Sequence, residues 1–266
     1  MMLRPRPIAL ALAGLVAVFL LMPLLAIVPI SFTPARFLTM PRGELSLTHY
    51  RDLIDNPDWA ASSLLSLRIG VASSAIATTL ALAFALGVWM FQPRFSGLLV
   101  GLVLLPMVAP PIVSAMILYF FLTSLSQISG AIGYDTWFGV TLAHVVMTAP
   151  FAVVLILVEL SQLDRRIDLV ARGLGASVSQ RVFKVILPNI RFGVVAAALL
   201  AFVLSWDEIG VTLFVTSVNA ITLPRLMWMG VHDNIDPAVA AVSVVLIVIT
   251  SLALVARMAL QRGDAA

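Results

Sequence analysis

Apolar residues run along this chain in six long blocks, separated by short polar segments that hold nearly all of the charge. Charge-free runs cover residues 7–35, 69–93, 95–134, 136–158, 192–206 with 209–224, and 237–256. A helix needs about 20 apolar residues to cross the hydrocarbon core of a bilayer. The pattern therefore predicts six transmembrane helices, at roughly 8–31, 66–90, 98–122, 138–158, 192–215 and 238–257. The 95–134 run is too short for two crossings and a loop. Its far end, TSLSQISGAIGYD, is polar enough to leave the membrane.

Composition agrees with this. Of the 266 residues, 61% are hydrophobic and 11% charged, against about 25% charged in an average soluble domain; the mean hydropathy is +1.09. Lys and Arg fix the expected orientation. With the N-terminus inside, eleven basic residues (Arg4, Arg6, Arg94, Arg165, Arg166, Arg172, Arg181, Lys184, Arg191, Arg257, Arg262) face the cytoplasm and five (Arg36, Arg42, Arg51, Arg68, Arg225) face outward. Both termini are expected inside, and the net charge of +3 is topological and does not point to nucleic acid. The absence of cysteine excludes disulfides and thiolate metal sites. The first apolar stretch is too long for a signal-peptide core and is expected to remain as an anchor. A single membrane domain over 1–266 is expected, with too little polar mass to hold an ATPase of its own. No G-x-x-x-x-G-K-[ST] occurs either, so any ATP must be bound by partner subunits.

A basic, glycine-punctuated interruption within residues 160–191 reads DRRIDLVARGLGASVSQRVFKVILPNIR over Asp164–Arg191. Ile167, Val170, Ala171 and Leu174 recur at helical spacing, which places Arg165, Arg166, Asp168 and Arg172 on the other side. Gly175 stands where a helix end needs a left-handed residue. Ser177 and Gln180 have capping-box spacing, so a second helix can start there. Two short helices meeting at a bend present a small apolar knob rimmed by positive charge.

Several features lie in or beside the spans. Thr48 can cap a short helix in the first outer loop, where Asp52, Asp55 and Asp58 form an acidic edge and Trp59 suits the interface. The second span is rich in Ala, Ser and Thr, as a close-packing helix should be. The third begins with Gly97 and Gly101, a G-x-x-x-G pair that permits one close contact, and carries Pro106, Pro110 and Pro111. These prolines predict a broken helix lining or bracing a pathway. His144, without a second ligand nearby, is expected to be a hydrogen-bonded packing residue. In the fifth span Ser205-Trp206-Asp207-Glu208 interrupts an apolar run. Carboxylates there are too costly to face lipid and must look into a bundle or a watery path; on a helix they point about 100° apart, so only one can look straight into a pore. Trp206, Asp207 and Glu208 are the candidate pathway residues, and an anionic patch of this kind suits a cationic solute. Asp233 and Asp236 add acidity to the last outer loop.

The 160–191 segment resembles the coupling loop of bacterial ABC-importer permeases, whose pattern is E-A-A, three residues, G, nine residues, I-x-L-P. Gly175 takes the glycine place, Val185 the isoleucine place, and Leu187-Pro188 close the motif; Val170 and Ala171 take the alanine places. Leu169 stands where the family has glutamate, with Asp168 one residue early. The tracts LLPMVAPPIVSAM, AHVVMTAPF, LAFVLSWDEIGVTLFVTS and ITLPRLMW are most similar to the second permease of spermidine/putrescine-type importers. The resemblance implies an all-α, six-span type I importer (MetI-like) fold in the bacterial inner membrane and a transporter subunit with no catalytic role. It further implies a second permease as hetero-partner, two copies of a cytoplasmic ATPase, and a periplasmic or lipid-anchored substrate-binding protein. It places Asp168, Leu169, Val170, Ala171, Gly175, Leu187 and Pro188 at the ATPase contact, and Asp207 on the pathway. Related permeases also serve iron, thiamine, phosphonates and opine-like compounds. A proton-coupled carrier using Asp207 and Glu208 is the rival reading, but no matching inverted half is visible. A membrane enzyme is disfavoured, since neither H-E-x-x-H nor G-x-S-x-G occurs.

Overall fold

Six helices long and apolar enough to cross a membrane dominate the computed structural model: Ala9–Ser31, Pro57–Phe91, Pro111–Ile128, Trp137–Gln162, Val178–Trp206 and Ala238–Ala259. It describes residues 7–263, with the side chains of 7, 8, 233, 234 and 260–263 outside that description. Arg4 and Arg6, and the side chains of Asp233 and Arg262, all of which enter the topology and acidity readings, therefore lie outside that description. Among the described residues every regular element is helical.

In chain order the helices are α1 (Pro7–Ser31), α2 (Thr48–Asp55), α3 (Pro57–Phe91), α4 (Ser96–Val103), α5 (Leu105–Val108), α6 (Pro111–Ile128), α7 (Trp137–Gln162), α8 (Arg165–Gly173), α9 (Val178–Arg181), α10 (Leu187–Trp206), α11 (Thr212–Val215), α12 (Leu223–Met229) and α13 (Ala238–Gly263). They fall into two compact units.

One unit comprises residues 1–61 and 226–266. Here α13 packs against α1 and α2. The loop after α1 is tied down locally: Ser31 Oγ lies 2.8 Å from the Tyr50 hydroxyl, His49 Nε2 lies 3.0 Å from the Ala35 carbonyl, and Leu38 N–H donates to Ile235 O. α2 forms where expected, but Thr48 is its first residue and not its cap; Ser46 Oγ receives the Thr48 N–H instead. The acidic edge is also interrupted, because α2 ends at Asp55 and a new helix starts at Pro57. Trp59 is buried.

The second unit, residues 62–225, is built on α3, α7 and α10. Small residues let these helices meet closely, and with no hydrophobic drive between helices in lipid, close packing supplies much of the attraction. Ala81, Ala85, Ala152 and Ala197 are buried beside Val153, Ile156, Leu160, Ile186 and Ile190. A second cluster joins Ile69, Ala115, Leu118, Leu122, Val140, Ala143, Val211 and Val215. Gly70 makes room for the Phe202 ring, since a Cβ there would stand 2.9 Å from it.

Three spans differ from the hydropathy pattern, the second by starting at Pro57, nine residues before its apolar run suggests. The third is broken at its prolines as expected, but its long part is α6, which runs through TSLSQ to Ile128. Hydrophobicity located the apolar mass, whereas the rigid Pro110–Pro111 pair set the helix start. The fifth span starts earlier and stops sooner. The chain from Val178 runs through one π-helical turn, Val182–Ile186, directly into α10, which ends at Trp206. A separate second loop helix does not form. Pro188 explains the wide turn: its ring would clash with the carbonyl four residues back, and the i→i−5 bond from Leu187 N–H to Val182 O relieves this. A methyl group added at Gly97 or Gly101 would meet nothing within 4 Å, so no close contact occurs there among the described residues.

Gly139 marks the tightest approach to backbone. A methyl group at that position would collide with the Gly133 carbonyl oxygen, part of the turn that the Thr136 side chain closes ahead of α7. Gly139→Ala is expected to destabilise the protein by about 1–3 kcal/mol, read as a lowered thermal midpoint in detergent, while Gly97→Ala leaves the midpoint unchanged.

Candidate functional site

Two regions carry the candidate residues, one at the α8 loop and one where α10 stops. At the loop, Asp164 caps α8 by accepting the Arg166 N–H. The helix closes with paired bonds from Ala176 N–H to Ala171 O at 3.1 Å and from Gly175 N–H to Arg172 O at 3.0 Å. This is a Schellman ending, which needs the left-handed φ of +81° that Gly175 supplies. Ser177 and Gln180 then form the full reciprocal capping box that opens α9. The bend is thus fixed by backbone bonds at both sides.

Asp168 departs from the helical-wheel expectation. It does not face outward with Arg165, Arg166 and Arg172 but is buried, accepting a two-pronged ion pair from Arg181: Nε to Oδ1 at 2.7 Å and Nη2 to Oδ2 at 2.5 Å. A nine-residue helix gives the wheel no information about what crosses beneath it, and here α9 does. Ala171 is buried on the same side. Leu169, Val170 and Leu174 point out, the last 84% exposed. Leu187 begins α10, and Pro188 stands exposed beside it. The motif residues therefore divide into an inner set (Asp168, Ala171), a bend (Gly175), an outer set (Leu169, Val170) and a helix start (Leu187, Pro188).

At the second region the helix ends at Trp206, so Asp207 and Glu208 do not ride on a continuous helix. Asp207 is the C-cap of α10 and is exposed. Glu208 is half-buried, and its Oε1 accepts the Val211 N–H at 2.8 Å. The two carboxylates therefore have different tasks: Glu208 closes the turn that leads into α11, and Asp207 is left open. Trp206 is half-buried and stacks on Phe202 with ring centroids 6.0 Å apart. Pro111, at the broken third span, lies against the same turn; a Cβ on Gly210 would stand 3.9 Å from Pro111 Cβ and 3.4 Å from Glu208 Oε1.

A buried polar chain holds this turn. His144 Nδ1 lies 2.8 Å from Ser205 Oγ, and its Nε2 lies 3.0 Å from Thr212 Oγ1. Thr212 donates its single hydroxyl proton to the Glu208 carbonyl at 2.8 Å. It must therefore accept from His144 Nε2–H, which leaves Nδ1 to accept from Ser205. Ser73 donates in turn to Ser205 at 2.8 Å. Every proton is accounted for with a neutral imidazole, and His144 is the hydrogen-bonded packing residue its isolation suggested.

Asp135 gave no signal in the sequence, where it closes a polar tail after the third apolar run. It sits in the left-handed region at φ +56°, which Asp tolerates better than most side chains. Its carboxylate accepts backbone N–H bonds from Ser217, Val218, Asn219 and Ala220 and a fifth bond from the Asn219 side chain. Tyr134 adds a bond from its hydroxyl to Thr216 O at 3.0 Å, and Arg225 donates to the Thr216 hydroxyl. Burial pushes the Asp135 carboxyl up, but the N–H donors of Ser217, Ala220, Val218 and Asn219 outweigh it and hold it below its ordinary value. Among the described residues no group of three or more His, Asp or Glu is placed to hold a metal.

Because the native pKa of Asp135 lies below its unfolded value of 3.8, its stabilisation is present above that value and is lost as pH falls through the lowered native one. Asp135→Ala is expected to cost about 2–3 kcal/mol at neutral pH and to raise amide exchange at 217–220 selectively. The penalty should vanish in strong acid. His144→Leu leaves Ser205 and Thr212 short of a partner and should cost about 1–3 kcal/mol, with exchange rising first at 208–212.

Comparison with known proteins gives this geometry its family. Residues 77–263 match the binding-protein-dependent transport system inner membrane component. The chain is 29% identical over 234 residues to the putrescine transport system permease protein PotI of Escherichia coli K12, covering 86% of this chain and 82% of that one. It is 30% identical over 248 residues to a probable molybdenum ABC transporter permease of Haloferax volcanii (91% and 85%). It is also 29% identical over 238 residues to the spermidine/putrescine permease PotC of Haemophilus influenzae (89% of each). A crystal structure of a bacterial ABC transporter involved in the import of the acidic polysaccharide alginate has the same fold, with a TM-score of 0.61 at 13% identity over 96% of this chain and 98% of that one. The chain therefore belongs to the binding-protein-dependent transport system inner membrane component family, as a multi-pass permease subunit of an ABC importer and not an enzyme.

Proposed function

We propose that this permease forms half of the pathway through which a polyamine such as putrescine or spermidine enters a bacterial cell. It would lie in the inner membrane with both termini in the cytoplasm. A second, different permease would form the other half, a binding protein would deliver the cargo, and two copies of an ATPase would drive the cycle through residues 160–191.

The observation that carries the cargo assignment is the end of α10. Asp207 is exposed at a helix C-terminus, where the last carbonyls already make the potential negative. Its carboxylate is not tied up in the turn as that of Glu208 is, and the pair places two acidic groups side by side. A carboxylate so placed is untenable against lipid and suits an aqueous path used by a cation. The putrescine and spermidine/putrescine permeases among the relatives support the same class.

Reconstitution of the permease pair with its ATPase in proteoliposomes tests this. ATP-dependent uptake of labelled putrescine and spermidine is expected, falling at least tenfold in Asp207→Asn, about 1.4 kcal/mol, with the complex still assembled. Absence of polyamine uptake, together with ATPase stimulation by a molybdate-loaded binding protein, would replace the cation with an oxyanion.

A further inference from the structure

The loop face that would meet the ATPase bears no free carboxylate among the described residues. Asp164 is committed to the cap of α8, and Asp168 is withdrawn into its buried pair with Arg181. What remains outward is apolar and cationic. Leu169 and Val170 are 61% and 62% exposed, and Phe183, on the turn beyond α9, is 65% exposed. Arg165, Arg166, Arg172 and Lys184 are exposed around them. Apolar side chains of this size rarely stay exposed together on a polar loop unless another surface covers them.

We infer that this face is recognised by an ATPase groove with an apolar floor and carboxylates at its edge. The inference rests on the importer reading above and specifies the chemistry of its drive subunit. Burial of Leu169, Val170, Leu174 and Phe183 supplies the desolvated centre of the contact, and the four cations supply long-range attraction and register. The Asp168–Arg181 pair serves from behind. It neutralises the carboxylate carried by α8 itself, which would otherwise oppose an acidic edge, and pins α8 to α9 at a fixed angle, so the apolar side chains leave the loop as one surface. A carboxylate at position 169 would belong to the opposite arrangement, a groove that offers a positive charge. Leu169 here fits a groove without one.

Binding of the cognate ATPase to the assembled permease pair in nanodiscs, measured against salt, separates the alternatives. Leu169→Glu should weaken binding at least tenfold. Paired Arg172→Glu and Lys184→Glu should weaken it at least tenfold at about 50 mM salt and markedly less at about 500 mM, because exposed charges are screened. All three changes are at exposed positions, and recovery of the intact permease pair on size exclusion confirms folding. Tighter binding by Leu169→Glu, or indifference to the paired reversal, overturns the inference while leaving the importer intact. Failure of any ATPase to bind the unaltered pair overturns both.

Discussion

A helix that stops within an apolar bundle must find partners for those of its freed backbone groups that water does not reach. That constraint organises the second unit. α10 stops at Trp206, and the turn that follows is held by side chains from elsewhere in the chain. His144 bridges Ser205 on one side of the break and Thr212 on the other, so one imidazole spans the gap in the helix. Glu208 closes the turn from within. Asp207 can remain uncommitted only because its neighbours complete the turn without it.

The same solution appears at the 215–220 segment. Irregular backbone there presents successive N–H groups, and Asp135 gathers them onto one carboxylate. Residues separated by some eighty positions in sequence thus behave as a single turn. Together, the His144 chain and the Asp135 clamp place rigid polar structure on both sides of α11, so the carboxylate-bearing turn is bounded by fixed points.

Local patterns are legible in the sequence where the governing bonds are local. Gly175, Ser177 and Gln180 specify a helix end and a helix start through partners within five residues, and both form as expected. The proline-broken third span follows from the missing N–H groups of three residues. Asp168 escapes the helical wheel because its partner lies 13 residues away, across a bend whose angle no periodicity contains. The stop at Trp206 is hidden for a related reason: SWDEIG lies in a tract apolar enough on average to extend a helix, and His144, which holds the break open, is 61 residues from Ser205. Asp135 is invisible because an aspartate in a polar loop is ordinary until its donors are assembled.

The wide turn ahead of Pro188 has a consequence for how the loop is aimed. A π-turn inserts one residue into a helix without ending it, and so rotates everything before it by about 100° relative to everything after. α9, and through the buried ion pair α8, is attached to the membrane span by this turn. The azimuth at which the loop leaves the bundle is thus set by a residue count and held by the proline. Removing Val185 from this turn would take no side chain from the outer loop face, yet would turn α8 and α9 to face another direction.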